Sequence, residues 1–149
     1  MATPSRPRLF LDASLLVAAA RSPQGGSATV LQLCAHGLCR AIVTEKVLLE
    51  ARVNIAEKFG AAELARFYEQ LASAKPEIAP PPSEDAVRRC QPLTTAKDVH
   101  VLAAAIDSKA SHLLTLDRRH LLTPAIQRAG LSFAVLTPGD FLKAFVANL

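Results

Sequence analysis

Short apolar runs alternate with helix-like stretches along the chain, and this alternation restricts the possible folds. The runs at residues 8–11, 41–43, 113–116 and 133–136 have the length of strands. Their nearly continuous apolar character is typical of strands buried on both faces of a parallel sheet. Strands that alternate with helical patterns predict an α/β layer fold with a central, mainly parallel sheet.

The length and composition predict one domain. The 149 residues suffice for a single substantial core, and because half of them are hydrophobic, a disordered chain is excluded. We expect residues 1–7 to be a flexible N-terminus and residues 8–149 to form the domain. The proline run at 80–82 is too short for a domain linker and is expected to cross the surface in extended form.

Several helix ends carry local signals. Ser27 is placed to cap a helix that Gly37 ends, and Thr44 has the spacing of an N-cap relative to Val47. Thr94 or Thr95 is expected to start the helix that runs to Lys109. Pro124 suits the first turn of a later helix.

Cysteine usage and hydropathy predict the compartment. The three cysteines form no CxxC pair, and no signal peptide pattern begins the chain, which favours a reducing cytoplasm. Cys34 lies within an apolar run and is interpreted as a core residue. No apolar stretch reaches the roughly 20 residues of a membrane span. We therefore expect a cytoplasmic protein without a membrane partner.

Four acids occupy positions where they could meet. Asp12 and Asp117 each follow an apolar run, Asp98 opens a helical pattern, and Glu50 lies early in another. Ligands of open α/β sheets bind beyond the carboxyl ends of the strands. Two carboxylates ~4 Å apart repel by roughly 4 kcal/mol at an effective dielectric near 20, and a divalent cation relieves that repulsion. Oxygen ligands suit Mg²⁺ or Mn²⁺.

Each acid also has an ordinary interpretation, because acids at strand ends and helix starts are common caps and loop residues. The joint pattern is more specific. Asp98 precedes Leu102 and Ala105 by four and seven residues, so it shares a helix face with core positions. A surface acid has no need to lie there.

Other sequence motifs are weaker indications of function. The four histidines have no zinc-motif spacing, and ordinary core or surface roles are favoured for them, although His120 could contact a phosphate. Gly25 and Gly26 are not followed by the residues of a P-loop. The net charge of +4 favours an anionic partner such as nucleic acid.

Four segments of the chain resemble the motifs of the PIN-domain family of metal-dependent ribonucleases. They are residues 11–14, 44–50, 97–105 and 114–121, in the family's order, within a likeness that runs from about residue 8 to residue 145. Glu50 is included among the site acids mainly because of this resemblance. The proline run at 80–82 departs from compact members.

The resemblance implies a three-layer α/β/α fold and Mg²⁺ or Mn²⁺ held by the acids. Many small bacterial members are toxins of toxin–antitoxin pairs that cut RNA and often dimerise. The expected partners are therefore an RNA substrate, an antitoxin protein and further copies of the chain in a homodimer or higher oligomer. The family also contains members without demonstrated activity.

Our first hypothesis is an endoribonuclease that hydrolyses RNA phosphodiester bonds with metal-activated water. The metal would be held by four catalytic acids, Asp12, Glu50, Asp98 and Asp117. Ser14 and Thr115 would orient carboxylates or water from behind the ligands. Phosphate contacts would come from Lys46, Arg118 and Arg119.

Two alternatives stand beside it. The first is a catalytically inactive PIN-like module that binds protein or RNA. The second is a phosphatase that uses Asp12 as nucleophile. Ser14 argues against the phosphatase, since such enzymes place a second aspartate at that position.

Overall fold

The computed structural model describes residues 6–149 and contains a five-stranded, all-parallel sheet in that range. The strands lie in the order β3-β2-β1-β4-β5. Their bounds are β1 Arg8–Leu11, β2 Arg40–Thr44, β3 Glu77–Ala79, β4 His112–Leu114 and β5 Ala134–Leu136. Most of the expected flexible N-terminus, residues 1–5, lies outside the described residues.

Helices connect and cover the strands. The described residues form eight α-helices: α1 Ala13–Arg21, α2 Gly26–Ala35, α3 Glu45–Lys58, α4 Ala61–Ala74, α5 Glu84–Cys90, α6 Val99–Asp107, α7 Pro124–Gln127 and α8 Pro138–Ala147. A short 3₁₀ turn, Gln91–Leu93, follows α5. The helices flank both faces of the sheet, which confirms the three-layer α/β/α fold.

The order in which successive strands join the sheet reverses at β1. From β1 the chain proceeds outward to β2 and β3, then crosses back to β4 and β5 on the other side. Because parallel crossovers are right-handed, the connections on the two sides of β1 cover opposite faces of the sheet. Consistent with this, α1 packs against α2, α3 and α4, whereas α5 packs against α6. A crevice therefore opens at the carboxyl ends of β1 and β4, where their outgoing segments diverge.

The sequence analysis did not predict one of the strands, β3. β3 has three residues, of which only Ala79 is buried, so no apolar run marks it. Glu77 anchors this edge strand, since its carboxylate accepts two hydrogen bonds from the Arg8 guanidinium at 3.2 and 2.9 Å. The proline run that follows is without regular secondary structure, as expected.

Some helix ends also differ from the prediction. The N-cap of α2 is Gly25, and Ser27 is a buried residue of the first turn. α6 begins only at Val99, with Asp98 as its N-cap, because residues 95–98 form a turn in which the Asp98 amide donates to the Thr95 carbonyl at 3.0 Å. Thr44 caps α3 as predicted and accepts from the Val47 amide at 3.2 Å.

The central strands form the core. Leu9, Phe10 and Leu11 are fully buried, as are Leu113 and Leu114 of the neighbouring strand. Each such side chain contributes about 1.5–3 kcal/mol by leaving water. This dense apolar base fixes the position of the polar residues that follow each strand.

The three cysteines are free and buried. Burial raises the pKa of the Cys34 thiol to about 12, with a smaller electrostatic contribution from the nearby Cys39. Burial also raises the pKa of the Cys39 thiol to about 11. These thiols are therefore packing residues, as predicted for Cys34. Among the described helices, none combines the length and the apolar character needed to cross a membrane.

Candidate metal centre

Asp12 stands at the carboxyl end of β1, where the sheet register joins it to Thr115. Leu11 pairs with Leu114, so the next residue of each strand emerges side by side. The Asp12 Oδ2 atom accepts hydrogen bonds from the hydroxyls of Ser14 and Thr115, both at 2.8 Å. Asp12 as a whole residue is 7% exposed. Two hydroxyl donors thus hold a nearly buried acid in one orientation.

Asp117 lies in the loop after β4 and closes a tight turn. Its Oδ1 atom accepts from the backbone amides of Arg119 and His120, both at 3.0 Å. Its own amide donates to the Thr115 hydroxyl at 3.0 Å. Thr115 therefore contacts both Asp12 and Asp117 and links them.

Asp98 enters the same region from the start of α6. Its Oδ2 atom accepts from the Thr95 hydroxyl at 2.9 Å. The Nδ1 atom of His120 lies 3.5 Å from Asp98 Oδ2 and 3.5 Å from Asp117 Oδ2. One donor atom from each of these three residues falls within 4.8 Å of the others, the spacing of a possible metal site.

Glu50 faces the acids from α3. Its Oε1 atom lies 3.2 Å from Nε2 of His100, a residue of α6. Burial lowers the pKa of His100, and the charge of Lys46 lowers it further, while Glu50 and Asp12 act in the opposite direction. Glu50 and Asp12 line the same cleft.

All four acids line one cleft of about 420 Å³. Its polar rim also includes basic and amide side chains: Arg21, Asn54, Lys58 and Lys97. The structure thus gathers Asp12, Glu50, Asp98 and Asp117 around one space, and Ser14 lines it as well.

The three basic residues expected at phosphates lie around this cleft and not inside it. Lys46 lines a neighbouring cleft of about 510 Å³, together with His100 and residues 80–82. Arg119 borders a third cleft beside His120, and Arg118 is exposed next to Asp117. Asn54, Lys58 and Lys97 were missed from the sequence. The signals were local, since Asn54 and Lys58 follow Glu50 at helical spacing and Lys97 precedes Asp98.

The histidines near the acids were assigned ordinary roles from the sequence, and the structure places two of them differently. His100 contacts Glu50, and His120 lies between Asp98 and Asp117. Their distances in sequence from Asp98 and Asp117, two and three residues, were the available signal. No metal motif contains that spacing, so tertiary structure was needed to interpret it.

A family model described as PIN domain matches residues 8–119. The chain belongs to the PIN-domain family. PIN domains are generally nucleases, which supports a hydrolase, and they typically use divalent metals. Four acids at the carboxyl end of the sheet agree with that family chemistry.

Three solved structures share the PIN fold at low sequence identity. PAE2754 from Pyrobaculum aerophilum is 19% identical with a TM-score of 0.62, covering 96% of this chain and 97% of that chain. VapBC2 from Rickettsia felis, bound to a DNA fragment from its promoter, is 14% identical with a TM-score of 0.58 and coverages of 87% and 96%. FitAcB from Neisseria gonorrhoeae is 15% identical with a TM-score of 0.57 and coverages of 88% and 98%. No curated protein sequence matches the chain significantly.

The donor set of this PIN domain fits a divalent cation. Carboxylate oxygens are the ligands that Mg²⁺ and Mn²⁺ prefer. The hydroxyls that contact Asp12 both donate to Oδ2 and leave Oδ1 free of them. The hydroxyl that contacts Asp98 donates to Oδ2, which keeps a second lone pair for a cation, and the backbone amides that contact Asp117 donate to Oδ1 and leave Oδ2 free of them. Outer hydrogen bonds of this kind are what orient metal ligands in proteins.

Proposed function

We propose that the chain is a metal-dependent endoribonuclease whose Asp12, Glu50, Asp98 and Asp117 hold Mg²⁺ or Mn²⁺. The observation that carries the proposal is the convergence of these four acids on one cleft at the carboxyl end of the sheet. Membership of the PIN-domain family supports the same chemistry.

The protein residues would fix the geometry of the reaction. A divalent cation bound there supplies charge stabilisation for the phosphoryl group and activates the attacking water. Ser14 and Thr115 hold the Asp12 carboxylate through their hydroxyls, and Thr95 holds Asp98 in the same way. Ligands held in advance need no reorganisation when the substrate arrives, which favours catalysis.

Basic side chains would position the RNA backbone. Lys58 and Lys97 border the acid cleft, while Lys46, Arg118 and Arg119 lie around it. Lysine and arginine contacts to phosphates supply affinity without reading the sequence. Lys46 and residues 80–82 would extend the RNA path into the neighbouring cleft.

We further propose that the protein acts as the toxin of a toxin–antitoxin pair in the cytoplasm. The PIN-domain family contains many such toxins, and the chain shares its fold with VapBC2 and FitAcB. The partners proposed on this basis are an antitoxin protein and a second copy of the chain. Co-expression with the product of an adjacent small gene, followed by co-purification, would test the antitoxin partner.

The catalytic proposal is tested by cleavage of a fluorogenic RNA with Mn²⁺ or Mg²⁺. We expect Asp12→Asn and Asp98→Asn each to lower kcat/KM at least about 100-fold, since loss of a ligand exceeds the 10–100-fold effect of losing its outer hydrogen-bond partner. Asp140→Asn is the matched control because Asp140 is an exposed acid in the first turn of α8. Its kcat/KM should equal that of the wild type.

Two results would contradict the proposal. Equal cleavage by the wild type and both active-site variants would exclude these acids from catalysis. Absence of heat when millimolar Mn²⁺ is titrated into the wild type would instead favour the non-catalytic module that binds protein or RNA.

A further inference from the structure

We propose that His120 is a direct ligand of the cation, through its Nδ1 atom, together with Asp98 Oδ2 and Asp117 Oδ2. The resulting nitrogen and oxygen donor set selects a first-row transition cation, such as Mn²⁺, over Mg²⁺. The inference rests on the proposed function in one respect, namely that these acids hold a cation.

The loop after β4 fixes the backbone of His120. The Asp117 Oδ1 atom accepts from the His120 amide at 3.0 Å, and the Thr94 hydroxyl donates to the His120 carbonyl at 2.7 Å. These bonds occupy the Oδ1 atom of Asp117 and hold the histidine from both sides of its α-carbon. Oδ2 of Asp117 is left facing the imidazole ring at 3.5 Å.

The distances match those between ligands of one cation. Bonds of about 2.1 Å in octahedral geometry place adjacent ligand atoms about 3.0 Å apart and opposite ones about 4.2 Å apart. His120 Nδ1 lies 3.5 Å from each of the two carboxylate oxygens. The three donor atoms all fall within 4.8 Å of one another. A cation placed among them therefore requires only small side-chain shifts.

The nitrogen donor gives the site its selectivity. Mg²⁺ favours oxygen ligands and retains several waters, whereas imidazole is a ligand typical of transition metals. A site of carboxylates alone would bind Mg²⁺ and Mn²⁺ through the same kind of oxygen ligand. Adding His120 strengthens the binding of the transition cation far more than that of Mg²⁺.

A competing explanation uses the same geometry. His120 could form ion pairs with Asp98 and Asp117 and have no contact with a metal. In that case its positive charge would oppose cation binding, and removing it would leave the Mn²⁺ affinity unchanged or increase it. The ligand role predicts a decrease, so the two explanations differ in the sign of one measurement.

The experiment compares the wild type with His120→Gln by calorimetry with Mn²⁺ and Mg²⁺, and by pulsed electron paramagnetic resonance of bound Mn²⁺. We expect the Mn²⁺ dissociation constant to rise at least about tenfold, the Mg²⁺ constant to change less, and the ¹⁴N coupling to Mn²⁺ to disappear. His100→Gln tests the other nearby imidazole and should keep the ¹⁴N signal. His36→Gln, at the exposed end of α2, should keep both affinities.

The outcomes separate this inference from the proposed function. A ¹⁴N signal that persists in His120→Gln, or an unchanged or tighter Mn²⁺ affinity, overturns the ligand role while leaving a metal-dependent nuclease intact. Failure of the wild type to bind Mn²⁺ overturns both. The melting temperature without metal, compared between wild type and His120→Gln, verifies that any loss of affinity does not reflect unfolding.

Discussion

The single hydroxyl of Thr115 joins Asp12 and Asp117. It is fully buried, donates to Asp12 Oδ2 at 2.8 Å and accepts from the Asp117 amide at 3.0 Å. The hydroxyl therefore sets the orientation of one carboxylate and the path of the loop that carries the other. At the scale of single residues, the geometry of the candidate metal centre depends on the groups that form hydrogen bonds with its acids.

Thr115→Val keeps the shape of this side chain and removes both hydrogen bonds. We expect a 10–100-fold loss of Mn²⁺ affinity, because partners behind metal ligands typically contribute that much. The partly buried Asp117 amide would lose its acceptor, so the free energy of unfolding should fall by about 1 kcal/mol. Calorimetry and urea denaturation measure the two effects.

Thr29→Val is the control for Thr115→Val. Thr29 lies in α2, and its hydroxyl donates to the carbonyl of Gly25, the N-cap of that helix. Neither residue lines the cleft that holds the acids. Its loss should leave Mn²⁺ affinity at the wild-type value. If Thr115→Val also bound Mn²⁺ with wild-type affinity, the orienting role of Thr115 would be wrong.

Only some residues of the candidate metal centre carry a local signal in the sequence. Asp12 was placed correctly at a strand end, because an apolar run ending in an acid is a local pattern. Asp117 was expected at a strand end too, but β4 ends at Leu114 and Asp117 lies in the loop that follows. His120 was not assigned to the centre, since its contact with Asp98 joins residues on separate segments. A contact of that kind leaves no periodic or compositional signal in the sequence.

At the scale of elements, α3 carries Glu50 and begins at a buried cap. Thr44 is 4% exposed, ends β2, and accepts from the Val47 amide at the start of the helix. The cap therefore fixes where α3 leaves the sheet. That exit determines the direction in which Glu50 reaches the cleft.

Thr44→Ala removes this cap. We expect the free energy of unfolding to fall by about 1–2 kcal/mol, because the Val47 amide loses its partner in a buried position. Thr44→Ser retains the hydroxyl and should recover most of the loss. Urea denaturation of both variants checks the prediction, and equal destabilisation by alanine and serine would assign the effect to the lost methyl group instead.

The sequence predicts an element correctly where a local signal defines it and misses it where distant contacts hold it. The cap at Thr44 was predicted because one hydroxyl and one amide three residues later suffice to define it. β3 was not predicted, since its three residues are held by pairing with β2 and by the bond between Glu77 and Arg8. Pairing of this kind depends on distant parts of the chain.

At the scale of the whole molecule, a half-buried histidine couples folding to pH. His112 lies in β4, its ring packs edge-on against Phe141 at 5.1 Å, and its Nδ1 lies 2.8 Å from the Ser111 hydroxyl oxygen. Burial lowers the pKa of His112 below its ordinary value of 6.5. The unfolded chain therefore binds a proton at this residue at a higher pH than the folded chain does.

This linkage predicts a loss of stability on the acid side. As the pH falls below about 6.5, the unfolded state takes up the proton first, so the free energy of unfolding decreases until the folded histidine is protonated too. His112→Gln should show a shallower decrease between about pH 7 and pH 5. Urea denaturation across that range gives the slope, and parallel slopes for both proteins would contradict the prediction.

The sequence by itself determined the layer architecture and the membership of the PIN-domain family and supplied the four candidate acids, because periodicity, caps and motif order are local properties of a chain. The tertiary structure alone decided the geometry of the groups around those acids, and it alone showed that His120 is one of them. The register of β1 with β4 brought Thr115 to Asp12, and the turn closed by Asp117 brought His120 between two carboxylates. The contacts of Thr115 with Asp12 and of His120 with Asp98 join residues that are distant in sequence, and their geometry is set by the packing of the whole sheet and its helices.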